Sequence, residues 1–468
     1  MRTIPDLSQT LRQRWRTSRS FRSWTTLAVI GLAINLALTV LWQMEILTME
    51  ENPPGNDLKI YLEAGERFLR REDLYIAPRP DFGLYAYSPP FAVLMGVLSY
   101  LPYKLLWIVD AVLHLVMYVA LYWRWFRIFH RQGLNLAAEA LVRLFPLWLI
   151  FTGLLYEIAY MNIYIFMAFL ATLLLEAVLY QQTRNAILWL SILLPIKPQW
   201  AFALSIPFLF RQWRFLAKVT AGALLVYFAV LVLMVLATGS YALQQYREYV
   251  QFLSSVPYTF FWSTIAQDRR FGYNNSIMQF IVFFTNYVPF SIRLTTATKF
   301  LLSLPLIGIF WRYGSSRKEV SPAFALEWAF ALYLLAFLWL DVVTELTFAI
   351  VVFAYLSGTL MEPSSRKLAG ILFLPYALTF IWITVTGIIS FMVPLPDVLI
   401  DPSLFIPLIL IAMLGLYGLL LWQMNRRLQN PMVGSPVKRS RIKQSYGGSE
   451  NEYRKSSLNS VSISFQES

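Results

Sequence analysis

The chain has 468 residues, 58% of them hydrophobic, 16% aromatic and only 14% charged, whereas a soluble domain carries roughly a quarter charged residues; a water-soluble globule is excluded. With no cysteine and only two histidines, His114 and His130, disulfides and thiolate metal sites are excluded and little is left for any other metal. A net charge of +13 would suit a nucleic-acid partner, but a chain this apolar carries its cations beside membrane spans, on the cytoplasmic side, so no nucleic acid is expected.

In chain order, Arg2, Arg12, Arg14, Arg16, Arg19 and Arg22 precede a first apolar run at 25–47 with no small-residue cleavage site. This predicts a retained anchor with a cytoplasmic N-terminus. Further runs lie at 103–123, 137–155, 158–180, 215–237, 294–311, 324–340, 346–360, 369–391 and 402–422. Shorter apolar pieces at 85–101, 186–196 and 200–210 read as half-spans or re-entrant helices, the last two meeting at Lys197-Pro198. A span needs about 20 apolar residues, so the whole reads as an all-α polytopic membrane protein with about 10–13 membrane segments. One membrane domain occupies 25–424, after a basic cytoplasmic N-terminus at 1–24. A Ser-rich basic tail at 425–468, with Lys438, Arg439, Arg441 and Lys443, holds too few apolar residues to order itself and suits contact with anionic lipid. Threading the spans leaves a roughly threefold excess of Lys and Arg on the cytoplasmic side. Both termini are then cytoplasmic, loops 48–84 and 238–275 lie outside, and the location is the cell membrane, plasma or inner.

The first outside loop carries Asp57, and from there to Arg71 the apolar residues Leu58, Tyr61, Leu62, Phe68 and Leu69 fall at helical spacing. The pattern predicts an amphipathic helix on the membrane surface, with Asp57 either a plain N-cap or a general base at the water–lipid boundary. The loop ends in Tyr87-Ser88-Pro89-Pro90, prolines suited to the first turn of a helix. Lys197 in Lys197-Pro198-Gln199 is an intramembrane cation that must pair, snorkel or face a polar cavity such as a lipid-phosphate site. Arg269 and Arg270, adjacent on a side poor in cations, suit phosphate contact or are simply solvated. Asp341 and Glu345 form an i, i+4 acidic pair that is either a second carboxylate site or a polar loop tip. Glu157 and Asn162 are weaker candidates at a turn, and neither histidine receives a role. There is no Walker loop, dinucleotide fingerprint or Asp-x-Asp pair, so an activated donor is expected to arrive through the lipid.

Taken in order, Asp57, the Tyr61, Gly65 and Leu74-Tyr75 stretch, Tyr87-x-Pro89-Pro90, Lys197-Pro198-Gln199 and Asn274-Asn275-Ser276-Ile277 resemble glycosyltransferase family 87, integral-membrane enzymes of the GT-C fold. The resemblance implies a GT-C-like bundle that transfers a sugar, typically mannose, from a polyprenyl-phosphate carrier to a lipid or glycan acceptor at the extracytoplasmic face. It implies Asp57 as base, with Tyr87, Pro89 and Pro90 in the helix-entry motif, and Lys197 and Gln199 matching Lys-Pro-Gln. Asn275 and Ser276 match the family's Asn-x-Ser element in part, because Gly272-Tyr273-Asn274-Asn275-Ser276 stands where Gly-Asn-x-Ser is usual. Its partners would be that donor, the acceptor and membrane lipid, with no further cofactor and no metal. A transporter or flippase for a lipid-linked sugar would need the same cavity and phosphate-binding cations without a base. A polysaccharide polymerase or ligase fits less well, having few outside cations to work with. In this cysteine-free chain, Asp57→Cys should react with an impermeant maleimide applied to intact cells; labelling only after permeabilisation would put residue 57 on the cytoplasmic side.

Overall fold

The computed structural model describes residues 5–43, 56–75, 85–259, 274–316, 321–341, 343, 350–393 and 406–429, and among these the regular structure is helical, with no strand. In chain order the helices are α1 (Leu7–Thr17), α2 (Arg19–Gln43), α3 (Asn56–Arg70), α4 (Pro89–Leu98), α5 (Tyr103–Arg131), α6 (Asn135–Arg143), α7 (Phe145–Leu149), α8 (Thr152–Tyr160), α9 (Tyr164–Leu179) and α10 (Thr183–Leu193). A 3₁₀ stretch, Pro198–Leu204, leads into α11 (Ser205–Leu209), α12 (Trp213–Thr238), α13 (Ser240–Thr259), α14 (Ile277–Thr285), α15 (Val288–Ser316) and α16 (Pro322–Leu338). The chain then runs through α17 (Ile350–Leu360), α18 (Pro363–Leu372), α19 (Leu374–Met392) and α20 (Ile406–Gln429).

Among the described residues, six helical segments are long and apolar enough to cross a membrane: Arg19–Trp42, Tyr103–Arg131, Trp213–Thr238, Val288–Gly314, Pro363–Ser390 and Leu408–Gln429. The pair Asn135–Arg143 and Phe145–Tyr160, bent by 59°, makes a seventh if taken as one span. Pro89–Leu98, Tyr164–Leu179 and Pro322–Leu338 are apolar but shorter. The protein is thus an all-α polytopic membrane protein, and several apolar runs that predict full spans are bent or short helices. Val119, Leu225 and Leu236 are 68%, 70% and 77% exposed on α5 and α12, an outward apolar surface that hydrocarbon covers and water would not. Inside, Trp125, Trp148 and Trp200 are fully buried, with Trp200 edge-on to Tyr333 at 5.5 Å and Tyr118 stacked on Trp148 at 4.5 Å.

Several charged groups within the bundle are paired between helices. Glu327 of α16, fully buried, accepts from Gln423 and from Arg427 of α20 at 3.0 Å, and Glu176 of α9 accepts from Arg124 at 2.7 Å and Arg131 at 3.0 Å of α5. Because Arg427 is so engaged, ordered helix runs past 424, the boundary predicted for the membrane domain; residues 430–468 of the tail lie outside the described residues. At the other end the helix that carries the first apolar run begins at Arg19, and α1, capped by Asp6 accepting from Ser8 N at 2.9 Å, precedes it.

The amphipathic helix expected from Asp57 is α3. It ends where Arg71 turns left-handed at φ 59, and its buried face comprises Leu58, Ile60, Tyr61, Leu62, Ala64 and Phe68, while Leu69 is 46% exposed. Ile60, Tyr61, Ala64 and Phe68 of that face pack against Phe91, Ala92 and Met95 of α4. Gly65 and Gly96 meet there backbone to backbone: a Cβ on Gly65 would lie 2.2 Å from Gly96 N. Real Cβ atoms cannot approach so closely, and the obstacle is main chain, which has no rotamer to yield. Gly65→Ala should therefore push α3 off α4 and cost about 1–3 kcal/mol or more, read as a lower melting temperature in detergent; a melt equal to the unmodified protein's would show the crossing to be looser.

Candidate functional site

Asp57 sits in the first turn of α3, half-buried, and its Oδ2 accepts from Asn162 Nδ2 at 2.5 Å. Asn162 is buried in the corner between α8 and α9, after Met161 has taken left-handed φ 55, ψ 49. The orientation of its amide is fixed by chemistry: Oδ1 receives the main-chain N–H of Ile163 at 2.7 Å, and an N–H can only meet the oxygen, so Nδ2 faces Asp57. The same Oδ1 accepts from Tyr61 OH at 3.2 Å, and Tyr61 OH lies 2.9 Å from Tyr87 OH. Since the single Tyr61 proton goes to Asn162, Tyr87 donates to Tyr61. Desolvation pushes the Tyr61 phenol well above its ordinary range, and the neighbouring Tyr87 and Asp57 push it the same way, so it remains a neutral donor.

Lys197 enters this network from the opposite side. The residue before a proline is driven out of helical conformation, and Lys197 is extended at φ −147, ψ 98 between α10 and the 3₁₀ stretch. The predicted break between two half-helices is therefore present, the second half being 3₁₀ and a short α-helix. Displaced from a helix, the Lys197 ammonium lies over the rings of Tyr87 at 4.9 Å and Tyr164 at 4.3 Å and donates to Tyr164 OH. Cation–π contact is strongest where the cation is poorly hydrated. Trp200 stacks on Tyr164 at 6.4 Å. Gln199 is half-buried in the first 3₁₀ turn.

Pro89 and Pro90 occupy the first turn of α4, where a missing N–H costs nothing. The preceding Ser88 makes no side-chain cap; its hydroxyl donates instead to the carbonyl of Pro195. The Tyr-x-Pro-Pro segment is thereby tied to the stretch of chain that carries Lys197. Tyr75 OH donates to Tyr87 O at 2.8 Å and Tyr85 OH to Ser88 O at 3.0 Å; burial drives both phenols upward, Tyr85 well above the usual value. From the second predicted outside loop, α13 straps the site: Gln245, fully buried, accepts from Leu74 N at 2.9 Å, Tyr241 OH donates to Glu72 O at 2.5 Å, and Phe252 stacks on Tyr75 at 5.8 Å. The two loops thus lie at the same end of the bundle.

Asn275, Ser276 and Asp341 form a second group. Asn275 N donates to Val343 O at 2.8 Å, Asn274 Nδ2 to Asp341 O at 3.0 Å, and Val343 N to Asn274 Oδ1 at 2.9 Å. Ser276 caps α14 by accepting from Gln279 N at 3.0 Å. Asp341 is paired with Lys299 of α15 at 2.6 Å, an ion pair that latches α15 to the end of α16. Arg269, Arg270 and Glu345 lie outside the described residues. What sequence reading passed over is His114, fully buried on α5, which donates to the carbonyl of Asn162 at 2.6 Å. Glu157, also fully buried, accepts from Tyr164 N at 2.9 Å and Ile165 N at 3.3 Å, closing the start of α9. An Asp110–His114 pair at i, i+4 within an apolar run was the available signal. Among the described residues no group of three His, Cys, Asp or Glu is placed to hold a metal.

Fold and site together define a polytopic all-α membrane protein in which a carboxylate and an ammonium share one buried network of phenols and an amide. No family model, curated protein or solved structure matches the chain. The network makes a specific demand on residue 162. Asn162→Asp would set a second carboxylate 2.5 Å from Asp57 Oδ2, replacing a charge-assisted bond of about 1.5–3 kcal/mol with repulsion. Thermal melts should show a loss that is largest near pH 8 and shrinks toward pH 5, because like charges raise the pair's pKa and protonating one carboxyl restores a donor; a loss independent of pH would show that the two carboxyls do not meet.

Proposed function

We propose that the protein is an integral-membrane inverting glycosyltransferase that moves a sugar, mannose in the first instance, from a polyprenyl-phosphate carrier to a lipid or glycan acceptor at the extracytoplasmic face. The observation that carries this reading is the convergence of Asp57 and Lys197, from distant parts of the sequence, on the Asn162–Tyr61–Tyr87–Tyr164 cluster at one end of an apolar bundle. A carboxylate and a cation in one poorly hydrated place match the two charges that develop when a glycosyl phosphate is displaced. The extracytoplasmic assignment rests on the distribution of Lys and Arg.

Asp57 takes the proton from the acceptor hydroxyl as that oxygen attacks the anomeric carbon. The new C–O bond forms as the bond from the anomeric carbon to the phosphate oxygen breaks, and its electron pair leaves on the polyprenyl phosphate. Attack from the face opposite the phosphate inverts the anomeric centre. Lys197 balances the charge growing on the leaving phosphate, moving off the Tyr164 hydroxyl to do so, while the Tyr87 and Tyr164 rings keep it close. Arg269 and Arg270, outside the described residues, are further candidates for that phosphate. Asn162 holds one Asp57 oxygen and thereby orients the carboxylate.

Purified protein in detergent, given radiolabelled polyprenyl-phosphate mannose and a lipid acceptor extract, should transfer label to a new product. Asp57→Asn should slow transfer by about 10²–10⁴-fold, the usual worth of a general base, with donor binding retained. Saturable donor binding with no transfer from any polyprenyl-phosphate sugar would instead identify a transporter of lipid-linked sugars.

A further inference from the structure

We propose that His114 is the positioning residue of this site: through the main chain of Asn162 it holds the amide donor against Asp57, and it does so without touching substrate. The inference deepens the glycosyltransferase reading and rests on it for the role of Asp57 as base. His114 stands one turn after Asp110 on α5, fully buried and edge-on to Phe166 at 4.9 Å. Its Nδ1 lies 2.8 Å from the carbonyl oxygen of Asp110 and 3.2 Å from Asp110 Oδ2. Its Nε2 lies 2.6 Å from the carbonyl oxygen of Asn162 and 3.6 Å from Glu157 Oε2. The two carbonyl oxygens can only accept, so each ring nitrogen is placed to donate to one of them. The ring is clamped in one orientation between α5 and the α8–α9 corner, with carboxylates of Asp110 and Glu157 beside it.

That corner needs a clamp. Met161 is left-handed, a conformation strained for a residue with a side chain, so the turn holds its shape only while its neighbours hold it. Three bonds do so: Asn162 N–H donates to Glu157 O at 3.2 Å, Asn162 O accepts from His114, and Asn162 Oδ1 accepts from Ile163 N–H. Two of the three are local and would follow the turn wherever it moved. The His114 bond ties the corner to another span, and together with the Asn162 side-chain bonds to Asp57 and Tyr61 it fixes where the amide stands relative to α3. A displacement of about 1 Å at a catalytic group can cost 10²-fold in rate, which sets the expected scale.

His114→Ala should lower kcat for sugar transfer on the order of a hundredfold with donor KM unchanged. His114→Gln, which keeps a donor toward the Asn162 carbonyl, should recover most of that loss, and also supplies the reading if the alanine variant fails to fold. The double variant His114→Ala, Asn162→Ala should be no slower than Asn162→Ala alone, because His114 acts through that residue. A second arm needs no turnover: with Asp57→Cys in this cysteine-free chain, adding His114→Gln should leave the maleimide labelling rate nearly as it was, and adding His114→Ala should raise it severalfold. Additive losses in the double variant, a rise in KM in place of the fall in kcat, or an unchanged labelling rate with His114→Ala would each overturn the proposal. If the unsubstituted protein transfers no sugar, the glycosyltransferase reading falls by itself, and the labelling arm still decides whether His114 positions this corner.

Discussion

The donation from Asn162 to Asp57 is the interaction on which this end of the molecule depends. A carboxylate at the edge of an apolar bundle has lost part of its water and must be given donors by the protein, or it is costly to keep ionised. The Asn162 amide is such a donor, and its direction is dictated by the main-chain N–H of Ile163. The rest of the local architecture serves that meeting. The glycine crossing brings α3 down onto α4, Ser88 ties α4 to the segment before Lys197, and α13 lies across the top.

Elsewhere in the bundle, charge is used differently. Glu327 with Arg427, Glu176 with Arg124 and Arg131, and Lys299 with Asp341 are carboxylate–cation pairs that join one helix to another. Such pairs are quenched where they stand and specify which helices meet more than they add stability. Among the partners of Asp57 and Lys197 are an amide and phenols, which orient a charged group through directional contacts.

Local features of this arrangement were legible in the sequence because they are set by residues close together. The apolar period after Asp57 gives α3, the paired prolines give the start of α4, and the proline after Lys197 expels that lysine from a helix. The all-α membrane class followed from composition and long apolar runs. Less was legible wherever meaning comes from contact across the bundle. His114 looks like an inert histidine in an apolar span until α8 and α9 bring the Asn162 carbonyl to it, and Asp341 is ambiguous until Lys299 of α15 is seen beside it. Spans were also harder to delimit than to detect, since an apolar run such as 137–155 continues through a 59° bend that hydropathy does not register.

The contact between Gly65 and Gly96 carries a consequence for how this protein can change over time. Because the two main chains touch, neither position can acquire a side chain unless the other helix retreats, and retreat would draw Asp57 away from Asn162. Two sites in separate helices therefore behave as a single locus under selection, fixed jointly or lost jointly. The exposed apolar face of α5 is freer to exchange one apolar residue for another. Substitution in this lineage should accumulate around the crossing and almost never at it.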